Sequence, residues 1–154
     1  MNQIKYAKVG AKYQITEHYL STVTSALSIL SLLFEDDFVT PHDIIKSLTE
    51  SECSQIHGMT FNIAVYSDTV MINMAIMFLN GLREVDNYKL EFSKTDFLSL
   101  LNAWISLSNK SELITLSQTD THITIEGNGV KFSAPWKRFQ YDWEGTEEDE
   151  VLNF

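Results

Sequence analysis

One cysteine, Cys53, stands in the 154 residues. No disulfide can form within the chain, which fits a reducing cytosol. Long apolar runs are missing too. The most apolar stretches, 26–34 and 70–79, fall well short of the ~20 residues that a membrane helix needs. The first residues, MNQIKYAKVGAKYQITEHYL, carry lysines, but no apolar segment follows them before Gln14, Thr16 and Glu17. They do not read as a signal peptide, and a cytoplasmic location is expected. Basic residues are scarce: 11 Lys and Arg face 21 Asp and Glu, for a net charge of −10. Phosphate binding favours the opposite sign, so no nucleic-acid partner is expected.

Catalytic signatures are also lacking. Serine is abundant, but no G-x-S-x-G elbow occurs. Cys53 has no local nucleophile signature around it. GNG at 127–129 lacks the spacing, the lysine and the following helix of a phosphate loop. Four histidines are present, His18, His42, His57 and His122. Cys53 and His57 lie four apart, yet a zinc site needs three or four ligands. Asp36-Asp37 and Glu147–Glu150 lack the alternating oxygens and central glycine of a calcium loop. The expectation is a protein that is not an enzyme and takes no metal or cofactor.

What is present is a regular alternation of patterns. The 44% hydrophobic content is that of a globular chain. Residues 2–13 alternate in part, with Gly10 interrupting, and read as a short strand or loose arm. From 15 to 34, Tyr19, Leu20, Val23, Leu27, Leu30 and Phe34 recur at helical spacing. A first long helix is expected there, with Thr16 as its cap and an end near Phe34, because Glu35-Asp36-Asp37 opposes the negative end of the dipole. Thr40, Pro41 and Asp43 open a short helix over 41–50. Strands follow at 59–66, 70–79 and 88–92. TVMINMAIMFL is apolar on both faces, as in the centre of a sheet, with a buried helix as the rival reading. Ser93 and Asp96 start a second long helix with Phe97, Leu100, Leu101, Trp104 and Ile105 on its buried stripe. ELITLS, HITIEG and VKFSAP then form a meander closed by Pro135. The expected fold is α+β: one domain over 1–154, with an antiparallel sheet of about six strands, two long helices, one short helix and an acidic tail at about 142–154.

The charge is unevenly placed. Residues 13–88 hold ten acids against Lys46 and Arg83, and six of the nine residues 142–150 are acidic. Trp136, Phe139, Tyr141 and Trp143 crowd just before that end, and Trp and Tyr are favoured hot-spot residues. A basic protein is the expected partner. Its expected contacts are Glu35, Asp36, Asp37, Trp136, Tyr141, Asp142, Trp143 and Glu144. Met59, Met71, Met74 and Met77 read mainly as sheet core.

On Glu35-Asp36-Asp37, the base-poor span 13–88 and the acidic end 142–150, the chain resembles the immunity proteins that bacteria use against contact-dependent growth-inhibition toxins. That resemblance implies a small cytoplasmic monomer that covers the basic active site of a nuclease-type toxin. The alternative is an acidic type III secretion chaperone, which the order helix, three strands, helix, strands resembles. It implies a homodimer that binds an extended effector.

Overall fold

A computed structural model describes residues 2–9, 12–19, 26–36, 38–50, 55–59, 61–74 and 88–140. The chain opens on a hairpin, β1 (Asn2–Val9) and β2 (Lys12–Tyr19). Two ten-residue helices follow, α1 (Ala26–Glu35) and α2 (Pro41–Glu50). Then come β3 (Gln55–His57), β4 (Phe61–Tyr66), β5 (Thr69–Met74) and β6 (Tyr88–Ser93). The 17-residue helix α3 (Lys94–Lys110) leads into β7 (Leu113–Gln118), β8 (His122–Gly127), β9 (Val130–Pro135) and β10 (Lys137–Gln140).

These strands form two antiparallel sheets of five, ordered β2-β1-β7-β8-β9 and β10-β6-β5-β4-β3. Helix α1 touches β1 and β7 of the first sheet and β4 and β5 of the second. Helix α3 touches β8 and β9, and also β5 and β6. Both helices therefore lie between the sheets, in three layers around one core. Leu27, Ile29, Leu30, Leu33 and Phe34 are all buried, because a helix covered from two sides needs apolar residues around its whole circumference. No helix among the described residues is long and apolar enough to cross a membrane.

The mixed helix and sheet composition agrees with the sequence reading, and four of its details change. Among the described residues there are two sheets, not one, and ten strands, not about six, because four strands carry little local signal and strand partners are remote in sequence. The hairpin β1–β2 includes residues 15–19, which the helical spacing assigned to the first helix. Ile15 faces the core with Tyr13, and Thr16 does not cap a helix: its hydroxyl donates to the Lys5 carbonyl across the pair. Pairing with β1 overrides the helical spacing, and β-branched Ile15 and Thr16 suit a strand. β3, in the stretch read as a loop around Cys53, is three residues long, too short to show a period. β10 is four residues that pair with β6 across the molecule.

Other expectations hold. α2 spans Pro41–Glu50, and its cap is reciprocal. Asp43 N donates to Thr40 Oγ1 at 3.2 Å, while Thr40 N and Oγ1 donate to the Asp43 carboxylate at 3.0 Å each. Ser93 caps α3, accepting from Asp96 N at 3.1 Å. The buried stripe of α3 is Phe97, Leu100, Leu101, Trp104 and Leu107, while Ile105, expected on it, is only partly buried. β5 is the central strand of its sheet over 69–74, with Val70, Ile72 and Asn73 buried. The turns Ser67-Asp68 and Asn128-Gly129 use positive φ at Ser67, Asn128 and Gly129. Residues 75–79, on which the strand and the rival helix reading differ, lie outside the described residues, as does Cys53.

Candidate functional site

The turn between α1 and α2 is built around one carboxylate. Asp36 Oδ1 accepts from the backbone N–H of Phe38 at 2.8 Å and of Val39 at 2.9 Å. An aspartate that bonds the backbone two and three residues on fixes a tight turn. Asp36 is 7% exposed, so its position is that of an organiser and not of a projecting charge. Its neighbour Glu35 is exposed at the last position of α1. Partial loss of water around the Glu35 carboxyl raises its pKa above the ordinary glutamate value.

The turn projects a residue that charge reading missed. Phe38 is 70% exposed, the most of any large apolar residue among those described. The sequence offered only an aromatic between the acids and the helix start TPHD, and its spacing of four from Phe34 does not mark it as exposed. Glu35 and Phe38 thus stand exposed on a turn pinned by Asp36 and by the Thr40–Asp43 cap.

Trp136 is placed otherwise. It is 8% exposed and sits where the chain leaves the edge of one sheet and joins the edge of the other. Its indole Nε1–H donates to the Thr119 carbonyl at 3.0 Å, and its backbone N–H donates to the Thr121 carbonyl at 3.0 Å. Both bonds hold it to the β7–β8 turn. Trp136 therefore closes the fold and presents little surface to a partner. Asp37, Tyr141, Asp142, Trp143 and Glu144 lie outside the described residues. So the structure sets exposed Phe38 beside Glu35 and Asp36, and buries Trp136 where β9 passes into β10.

His57 and His122 make local bonds. His57 Nδ1 and Nε2 face the side-chain oxygens of Asn62 at 2.9 Å and Gln55 at 3.3 Å. His122 Nδ1 pairs with the Thr121 hydroxyl at 2.9 Å. Among the described residues no group of three His, Cys, Asp or Glu is placed to hold a metal ion. Met59 is exposed and Met71 half-buried, so these two are not the interior of a sheet core. Comparison with family models, curated proteins and solved structures finds no match to this chain.

Proposed function

We propose that this chain is a binding protein that neutralises a basic protein partner, in the manner of an immunity protein covering a toxin domain. The net charge of −10 carries the reading. It favours encounter with a basic surface and opposes nucleic acid. The α1–α2 turn supplies what charge alone lacks, an apolar anchor with an acidic residue beside it. Contacts of that kind, buried at the centre and ringed by polar groups, dominate binding energy. Its backbone is already held by Asp36, so little ordering cost accompanies binding. Asp142 and Glu144, around Trp143, form a second acidic contact in the sequence.

The test is co-expression. The reading frame beside this one is expressed alone and together with this chain. Growth arrest that this chain relieves is the expected result, and arrest without relief, or no arrest, overturns the reading. Surface plasmon resonance on the purified pair then measures the contact. Phe38→Ala and Glu35→Lys should each weaken binding by about tenfold or more, ~1.4 kcal/mol. Association should slow as salt rises, since exposed charges are screened over ~8 Å at physiological ionic strength. A flat salt dependence would leave the acidity as solubility charge.

A further inference from the structure

A recess of about 270 Å³ opens where β9 passes into β10, beside the first turn of α3. Two sheet registers build one side of it. Thr69 pairs with Ser93, and Glu91 pairs with Lys137, so these four side chains project from one face of the sheet. Asp96, in the first turn of α3, adds a second carboxylate. Pro135 and the edge of Trp136 add apolar surface, while the Phe92 side chain turns to the opposite, core-facing side of β6. Trp136 cannot swing away, because its indole and its backbone are both bonded to the β7–β8 turn.

Three charged side chains thus converge on one apolar-walled concavity. Among the described residues none of the three has a side-chain hydrogen bond or ion pair. Their signs are mixed. A simple anion meets Glu91 and Asp96, and a simple cation meets Lys137. A ligand with both poles meets opposite charge at each. At about 270 Å³ the recess falls just below the usual range of ligand sites, ~300–1,000 Å³, too small for a nucleotide and suited to a molecule of amino-acid size. We infer that this recess binds a small zwitterion, a free α-amino acid with an apolar side chain. Glu91 and Asp96 take the ammonium, Lys137 takes the carboxylate, and the side chain lies against exposed Pro135 and the edge of Trp136. This site shares no residue with the α1–α2 turn and holds or fails independently of the toxin reading.

Amide NMR titration of the full chain with leucine, N-acetyl-leucine and leucinamide tests it. Leucine should give saturable shifts confined to residues 69, 91–96, 136 and 137. N-acetyl-leucine, which lacks the ammonium, and leucinamide, which lacks the carboxylate, should each bind about tenfold more weakly or worse. Two variants then separate the poles. Glu91→Gln should weaken leucine and leucinamide while leaving N-acetyl-leucine unchanged. Lys137→Gln should weaken leucine and N-acetyl-leucine while leaving leucinamide unchanged. A partly unfolded variant would lose all three probes alike, so the crossed pattern is specific to recognition. Shifts that fail to saturate, that spread over the surface, or that are equal for the three probes overturn the proposal.

Discussion

Tyr6 is wholly buried, and its hydroxyl finds no hydrogen-bond partner among the described residues. Burial drives its pKa far up, and the nearby Glu35 charge pushes it the same way. An unsatisfied buried hydroxyl costs about 1–3 kcal/mol. Tyr6→Phe keeps the ring against Trp104 and removes that cost. It should leave stability unchanged or raise it by up to ~1 kcal/mol in urea denaturation, and a clear loss would show that the hydroxyl is bonded. Glu35 makes a pH-dependent statement of definite sign. Its folded pKa lies above the ordinary glutamate value because of partial desolvation. The folded state therefore binds its proton more tightly than the unfolded chain, and the ionised form costs stability at neutral pH. Glu35→Gln should be more stable than the parent at neutral pH. That advantage should shrink as pH falls through the raised pKa toward the ordinary carboxylate range. An advantage constant with pH would show that the carboxyl is fully solvated. Asp43 has the opposite sign, because bonds from the Thr40 backbone and side chain lower its pKa. Its contribution is lost as pH falls, and the comparison of Glu35→Gln with the parent cancels it.

Helix ends are where local reading and tertiary structure part company. The starts of α2 and α3 were legible because Thr40 and Ser93 supply caps from the adjacent chain. The start of α1 was not. Leu27 N donates to Oε1 of Gln118, 91 residues away on β7, at 3.3 Å. The C-terminal end of α3 is likewise closed from a distance, where the Tyr13 hydroxyl bonds the carbonyl of Ser108 at 3.0 Å and that of Ser111. These bonds satisfy backbone groups that helices leave open, and they tie each buried helix to the first sheet. Gln118→Ala should cost about 1–3 kcal/mol, since it leaves a buried N–H without its acceptor. An unchanged urea midpoint would show that the Leu27 N–H finds water or another oxygen.

Across the whole molecule, Trp104 is the junction. It stacks on Phe34 of α1 at 4.3 Å between ring centres, and meets Tyr6 of β1 at 5.1 Å and Tyr13 of β2 at 5.7 Å edge to face. One side chain thus joins α1, α3 and the N-terminal hairpin. Trp104→Ala should cost about 3–5 kcal/mol, as a large-to-small change in a packed core. A loss under ~1 kcal/mol would mean that the cluster rearranges around the gap. The three-layer arrangement also bears on where partners can act. With α1 and α3 enclosed, surface for recognition comes from turns, sheet edges, exposed sheet faces and α2. The Glu35–Phe38 turn and the recess at Trp136 are two such places.

By itself the sequence determined the elements whose signals are local. Alternation marked β4, β7, β8 and β9, capping residues marked α2 and α3, and the two-residue turns Ser67-Asp68 and Asn128-Gly129 closed their hairpins. Composition determined the acidity and, through it, the sign of the partner sought. The candidate site was legible only in part. Glu35 and Asp36 could be picked out as charges, but whether a carboxylate projects or turns inward depends on which backbone N–H groups lie within its reach. Only the tertiary structure decided that Asp36 is an internal staple, that Phe38 projects, and that Trp136 is a hinge between sheets. It alone also divided the strands between two sheets and turned residues 15–19 into β2. In each case the deciding partner is remote: β1 is joined to β7 across more than a hundred residues, and β10 is joined to β6 across α3 and the three strands after it. A period of two or 3.6 reports only on neighbours along the chain. It carries no information about which distant strand completes a sheet.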